Sequence, residues 1–413
     1  MRADGGSVAG VAGVADVLVI GAGVSGLTCA SILNRAGVRT VVLEARSRIG
    51  GRVRTFRPAD GGPSLELGAQ VVHGDRNPAR ALVGTETAPR PAAARVISGR
   101  VGRPMGTLAR TPCPPWTMEA RLNAEGAADG VSVNDWLRDN GGPAPVASEW
   151  LRQIWATDPD RLSARGVSAA QRGDTAGHGE FVVPGGFDLL PRRLARGLQV
   201  HVGRPVEVLG WSPGRVSART ATGTVRAGRV VVTVPPAVVA CGTLTIEDLP
   251  ADKIEAAREL TPGDGCCVVV TLSAPAPETA SVFDADGVSG FVSCREGRPE
   301  VLIVARDAAA ACVRAATGPD LAAMLTVALP WSAGTRVLDT EIADWGTDPW
   351  SRGAFTAPRL GAELAPGRWA EPVEDTLFFA GEATVSGTRP PWVQGAIVSG
   401  TNAAERLLKA MSR

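Results

Sequence analysis

Short apolar runs punctuated by glycine set the pattern at the start of the chain. Val17–Ile20 is an unbroken apolar run of strand length, Val24–Arg35 repeats its apolar residues at helical period, and Thr40–Leu43 is apolar again. The three read as strand, helix and strand, a βαβ unit with a tight glycine turn after its first strand. Beyond it the pattern weakens. The stretch from Asp75 to Asp174 is rich in Pro, Ala and Arg, and helical period shows only in pieces such as Val133–Asn140 and Val146–Ala156, so pattern alone leaves its fold open.

Strand-like runs return at Glu180–Val183, Val200–Val202, Val206–Trp211 and Arg229–Val234, with a helical Phe187–Leu198 among them. A second strand-rich block, Cys266–Leu272 and Val301–Ala305, precedes helical Ala308–Ala316 and Leu321–Ala328. Thr376–Phe379 reads as the last strand, and the chain closes with a helix from about Pro391 to Ala410. There is no internal repeat. The alternation predicts an α/β fold: a Rossmann-like domain assembled from the separated segments 15–75, 179–255 and 345–413, and an α+β substrate-facing domain of mixed sheet and helices from 76–178 and 256–344.

A chain of 413 residues is long enough for two cores. Hydrophobic residues at 44% and charged residues at 21% place it among folded globular proteins. A formal net charge of +1 gives no electrostatic reason to expect nucleic acid or an anionic membrane as partner, which leaves a small molecule. Lys253 and Lys409 are the only lysines and tyrosine is absent, so a reaction that needs either must here use another residue. Cys29, Cys113, Cys241, Cys266, Cys267, Cys294 and Cys312 form no C-x-x-C pair and no metal-ligand spacing, which fits a reducing compartment and no metal. Met1–Ala15 leads straight into the glycine turn and not into a cleavage site, and no stretch approaches the ~18 apolar residues of a membrane span. The expected location is cytoplasmic.

The turn itself carries chemistry. Gly21, Gly23 and Gly26 form G-x-G-x-x-G between a strand and a helix: the first glycine makes the turn, the second admits a pyrophosphate, and the third lets helix and strand pack closely. Glu44 ends the second strand, where a carboxylate can accept hydrogen bonds from ribose hydroxyls. NAD and FAD both use such a unit. The run after it, Arg46-Ser47-Arg48-Ile49-Gly50-Gly51-Arg52-Val53, has a glycine pair that brings backbone and Arg52 close to the cofactor.

Leu43-Glu44-Ala45-Arg46 through Gly50-Gly51-Arg52 resembles the flavin-containing amine oxidase family of monoamine and polyamine oxidases. Further stretches resemble it in order: Glu66-Leu67-Gly68-Ala69-Gln70-Val71-Val72-His73-Gly74, Pro184-Gly185-Gly186-Phe187, Val230-Val231-Val232-Thr233-Val234-Pro235-Pro236, Trp345 to Phe355, and Phe379-Ala380-Gly381-Glu382 with Gln394-Gly395-Ala396. The resemblance implies FAD as cofactor, with Gly68, Ala69, Val206, Gly381, Glu382, Gln394 and Ala396 beside it. Glu382 would face the ribityl hydroxyls, and the helix begun near Gly395 and Ala396 would stabilise a reduced flavin. It also implies two rings flanking the substrate nitrogen, Phe355 and Trp392. Members with covalent flavin carry a cysteine where Ala354 stands, so the FAD is expected to be non-covalent. Many members carry a lysine where this chain has Cys266 or Cys267; a thiol supplies no fixed positive charge, which weakens the oxidase expectation. His73 is the histidine within a matched motif.

The function so implied is oxidation of the C–N bond of a small amine or amino-acid-derived substrate by hydride transfer to flavin, giving an imine, with dioxygen as acceptor and hydrogen peroxide as product. Three alternatives stay open: an L-amino-acid oxidase, although Gln70-Val71-Val72 lacks the arginine usual after Leu-Gly-Ala; a flavin dehydrogenase or desaturase of a biosynthetic intermediate; and a binding protein that keeps FAD for structure.

Overall fold

The computed structural model describes residues 15–413 apart from 85, 112 and 143, and the statements below concern those residues. The expectation about Met1–Ala15 falls, except for Ala15, outside them. β1 (Ala15–Ile20), α1 (Val24–Arg35) and β2 (Thr40–Leu43) make the βαβ unit where the pattern placed it. β1 lies parallel between β2 and the strand Gly223–Val232. Val17, Leu18 and Val19 are all fully buried, as a strand covered on both faces requires, which is why its sequence is continuously apolar. The sheet continues from β2 to Gln199–His201 at one edge. On the other side Gly223–Val232 leads through Arg215–Thr220 and Val206–Ser212 to Thr245–Ile246. Leu377–Phe379 joins the carboxyl half of Gly223–Val232 in parallel, so residues more than 300 apart in the chain close one sheet.

A second, seven-stranded sheet runs Val337–Asp344, Gly265–Leu272, Glu300–Arg306, Phe291–Cys294, Ala280–Asp284, Arg95–Ser98, Val101–Pro104. It is antiparallel except where Ala280–Asp284 meets Arg95–Ser98. Side chains of Gly265–Leu272 alternate between its faces. Cys266, Val268 and Val270 pack with Ala309, Val313 and Leu325 of the covering helices. Cys267 and Val269 pack on the other face with Leu67 and Trp345. Within the region that the pattern left open, the stretch from 115 to 172 holds four helices, Pro115–Glu125, Val133–Gly141, Pro145–Trp155 and Ala164–Arg172. They bury Leu122, Trp136, Leu151 and Trp155 in a core of their own. Two begin with proline in the first turn, where its missing N–H costs nothing.

Some elements differ from the pattern. The helix expected over Phe187–Leu198 is only Leu189–Leu194. Gly186, at φ +100°, and the Phe187 amide, which donates to the Glu66 carboxylate at 2.8 Å, hold a turn ahead of it, and Gly197, at φ +74°, turns the chain after it. The strand expected over Arg229–Val234 runs Gly223–Val232 because its first half forms a hairpin with Arg215–Thr220; it ends where Thr233 turns toward Gly21.

The C-terminal helix Val393–Met411 lies across α1 at a close crossing: a Cβ on Gly400 would sit 2.3 Å from the Ser25 carbonyl oxygen. Behind the sheet, Lys253 is buried and donates to the carbonyls of Arg368, Trp369 and Glu371 at the end of the helix Ala365–Ala370. The Phe379 ring lies 4.6 Å from its Nζ. These carbonyls have no other donor of that reach, and leaving buried acceptors unpaired costs about 1–3 kcal/mol. Lys253→Met is therefore expected to lower the unfolding free energy by about that amount in a urea titration; an unchanged midpoint would contradict the capping role.

Candidate active site

The carboxyl ends of β1, β2, Gly223–Val232 and Leu377–Phe379 open onto one cavity of about 510 Å³. Ligands of parallel α/β sheets bind at such ends, where neighbouring crossovers diverge. Gly21 takes φ +107°, and a Cβ there would fall 2.6 Å from Thr233 Oγ1. The Thr233 hydroxyl donates toward the carbonyls of Ile20 and Gly21. A Cβ on Gly26 would meet the Gly21 oxygen at 2.1 Å, so the third glycine sets the helix against the turn and does not itself line the cavity. A Cβ on Gly23 would meet nothing within 4 Å, although Gly23 lines the cavity. The space in front of the turn is open.

The basic run folds back on this turn. The Gly50 amide donates to the Ala22 carbonyl at 2.8 Å, and Gly51 packs so that a Cβ would lie 3.2 Å from Gly23 Cα. Glu44 is buried, and its two carboxylate oxygens accept from the amides of Ala22 (2.7 Å) and Arg46 (2.9 Å). Arg46 itself donates to Asp348 at 2.5 Å and Ser351 at 2.7 Å. Arg52 Nη1 donates to the Ala354 carbonyl and to Glu382 Oε1, both at 2.9 Å. Glu382 also accepts from the amide and hydroxyl of Thr356. The carboxylate expected to face a ligand thus spends much of its capacity fixing Arg52 and the segment that carries Phe355.

Of the residues singled out from the sequence, Gly21, Gly23, Glu44, Arg46, Gly50, Gly51, Arg52, Gly68, Ala69, Val206, Gly381, Glu382 and Ala396 all line this cavity, as do His73, Cys267, Phe355 and Trp392. Gly26, which packs behind the turn, and Gln394 are the exceptions; Gln394 points elsewhere. One turn of helix directs it away, its Nε2 lies 3.4 Å from Asp174 Oδ2, and its Oε1 is buried without a partner.

The remaining wall comes from the second sheet and the helix Pro145–Trp155. Strand alternation separates the cysteine pair: Cys267 packs on the face with Leu67 and Trp345, and Cys266 on the helix-covered face. Burial pushes the Cys267 thiol up to about 11, so it is uncharged at neutral pH. His73 stacks on Trp392 with ring centroids 4.0 Å apart, and its Nδ1 is 3.5 Å from Glu180. His73 and Arg90 hold the Glu180 carboxyl down to about 2. Arg306, at the end of the strand Glu300–Arg306, lies 5.6 Å from the Phe355 ring centroid. Trp150, Glu180, Arg90 and Arg306 escape a reading of the sequence; a charged residue closing the apolar run Val301–Ala305 was the available signal for the last.

Two long helices point their N-termini at this cavity without side-chain caps: α1 at Gly23 and Val393–Met411 at Trp392. Ser25 Oγ, in the first turn of α1 and on the cavity wall, is buried with no hydrogen-bond partner. Uncapped N–H groups, an orphaned hydroxyl and a turn with room at Gly23 fit a phosphate-bearing dinucleotide. Among the described residues, no group of three or more His, Cys, Asp or Glu side chains is arranged to hold a metal, and no helix is long and apolar enough to cross a membrane.

A Rossmann-type sheet whose glycine turn faces a cavity walled by a second, mixed sheet defines an FAD-dependent oxidoreductase. The chain belongs to the flavin-containing amine oxidoreductases, whose family model matches residues 24–408. It is similar to polyamine oxidase 3 of Oryza sativa subsp. japonica, with 27% identity over 94% of this chain and 88% of that protein. It is also similar to lysine-specific histone demethylase 1 homolog 3 of Arabidopsis thaliana, with 26% identity over 95% of this chain but only 30% of that protein. The fold matches that of putrescine oxidase bound to putrescine, with a TM-score of 0.77 at 21% identity over 97% of this chain and 99% of that one.

The glycine geometry separates folding from binding. Gly23 has ordinary extended backbone at φ −73°, ψ 176° and space for a methyl group. Gly23→Ala is expected to leave the melting temperature of the apoprotein unchanged while weakening FAD binding at least tenfold in a fluorescence titration. Unchanged FAD affinity would show that the ligand does not approach this turn.

Proposed function

We propose that this chain binds FAD non-covalently and oxidises the C–N bond of a small amine to an imine, which water hydrolyses. The observation that carries the reading is the convergence of Phe355, Trp392 and His73 on the cavity that also holds the glycine turn. The amine-oxidising names of the relatives, and putrescine in the structure of similar fold, support an amine as substrate. When bound, FAD supplies the acceptor for the hydride that leaves the amine's α-carbon, with dioxygen as final acceptor and hydrogen peroxide as product.

The protein's share is position and exclusion of water. Residues 76–178 and 256–344 form the substrate side, and the other segments hold the cofactor. Phe355 and Trp392 present ring faces to the amine, and each ring is itself held: Phe355 by Arg306, Trp392 by His73 and, at 5.9 Å, by Trp155. Arg52 fixes the Phe355 segment through the Ala354 carbonyl. The absence of a free carboxylate base near the rings accords with loss of hydride from a neutral amine, which needs no strong base. Ala354 offers no thiol for a covalent flavin bond.

A second reading, a flavin dehydrogenase that reacts poorly with oxygen, is favoured by one observation: Cys267 is buried and uncharged.

Anaerobic addition of primary amines, with and without a carboxylate, is expected to bleach the visible absorbance of the bound flavin, and air to restore it with peroxide formed. Bleaching that air does not reverse selects the dehydrogenase; no bleaching by any amine overturns amine oxidation. Acid precipitation is expected to release all the flavin into the supernatant. Trp392→Leu should lower kcat/KM by roughly tenfold, since a ring face over a desolvated cation or amine contributes about 1–2 kcal/mol.

A further inference from the structure

The charged groups lining the cavity are unequally provided with partners. Its carboxylates are all engaged: Glu44 by the Ala22 and Arg46 amides, Glu180 by Arg90 and His73, and Glu382 by Arg52 and Thr356. No lining carboxylate is left to receive the second ammonium of a diamine. Two lining arginines are the converse case: Arg204, on the cofactor side with its amide on the Glu44 carbonyl, and, on the substrate wall, Arg306. Its Nη1 donates to the Gln153 carbonyl, but it forms no ion pair among the described residues, and no hydrogen bond of its Nε or Nη2 to the protein is found among them.

The residue is nonetheless held firmly. Gln153, fully buried, accepts from the Arg306 amide at 3.1 Å and donates to its carbonyl at 3.0 Å. The guanidinium faces Phe355 at 5.6 Å and is near enough to Cys267 and Arg90 to feel both. Burial lowers its pKa to about 10, which leaves it charged at neutral pH. A partly buried cation with no counter-ion is disfavoured until a ligand supplies the anion. The cofactor's phosphates would have their own partners in the glycine turn, Ser25 and the N-terminus of α1, on the side of the parallel sheet. Arg306 stands on the substrate wall.

We propose that Arg306 anchors a carboxylate, so that the amine oxidised by this chain is an α-amino acid with an apolar side chain. The free Nε–Nη2 edge of a guanidinium matches a carboxylate in a two-pronged pair. Because Phe355 and Arg306 are neighbours, amine and carboxylate must be close together in the substrate, as on one carbon. Trp150, Ile154 and Phe291 complete the wall with apolar surface. In the reaction the Cα–H bond breaks and its electron pair leaves as hydride to the flavin. The nitrogen loses a proton as C=N forms, and water then releases ammonia and a 2-oxo acid. The proposal rests on the amine-oxidising reading. It places the arginine on the strand Glu300–Arg306, far in sequence from Gln70-Val71-Val72.

The test uses the flavin-loaded enzyme and two ligands that cannot react, benzoate and benzamide, read by perturbation of the flavin spectrum and by thermal shift. Benzoate is expected to bind at least tenfold tighter than benzamide. Arg306→Met should abolish that preference and Arg306→Lys should restore part of it. In turnover, phenylalanine should exceed phenethylamine in kcat/KM in the parent enzyme only. Equal binding of benzoate and benzamide by the parent enzyme, or benzoate preference undiminished in Arg306→Met, overturns the proposal. Binding needs no turnover, so loss of benzoate preference leaves amine oxidation standing, whereas intact preference without flavin reduction by any amine overturns amine oxidation alone.

Discussion

Two helix N-termini converge on one cavity, and neither is capped by a side chain. The N-terminal end of α1 and that of Val393–Met411 each carry roughly half a positive charge together with unsatisfied N–H groups. The fold leaves these donors for a ligand. It does so by close packing that only glycine permits: Gly26 against the Gly21 carbonyl, and Gly400 against that of Ser25. The first crossing seats α1 on its strand; the second lays the last helix of the chain across the first. The parallel sheet then needs to deliver only short turns to the same point, and Thr233 and Gly381 arrive there beside Gly21.

The second sheet meets this frame through few but specific contacts. Trp345 donates to the Leu67 carbonyl at 2.8 Å, tying the strand-end segment to the loop beside the cofactor side. Arg52 joins Glu382 to the Ala354 carbonyl, so the carboxylate of one signature positions the ring that follows another. Each carboxylate on the wall is balanced locally. The excess charge is positive and sits at Arg204, beside Glu44, and at Arg306, on the strand that borders the cysteine pair.

Where a rule of local sequence was strong, the sequence was legible. Val24–Arg35 and Thr40–Leu43 could be bounded to the residue because glycine and buried apolar runs delimit them. The cavity wall was legible wherever a motif carried it, apart from Gln394, which the helix turns toward Asp174. Between 115 and 172 the stretches Val133–Asn140 and Val146–Ala156 marked two helices to within a residue, whereas Pro115–Glu125 and Ala164–Arg172 went unread, their faces small and polar. Strands such as Val337–Asp344, half-exposed and polar, lack the apolar run that marks a strand. Both Cys266 and Cys267 border the cavity, and which side chain packs toward Leu67 and Trp345 needed the strand's pairing. Arg306 needed the tertiary fold altogether, because its meaning is the absence of an acid around it, and no spacing along the chain records that.

If the uncapped N-terminus of α1 and the Gly23 turn exist to hold a pyrophosphate, the phosphates must carry most of the binding. The most direct measurement is the thermal stability of the apoprotein titrated with FAD and, separately, with riboflavin, which has the same ring system and no phosphate. The account predicts a melting temperature that rises with FAD and scarcely moves with riboflavin at equal concentration. Equal stabilisation by both, or none by FAD, would contradict it.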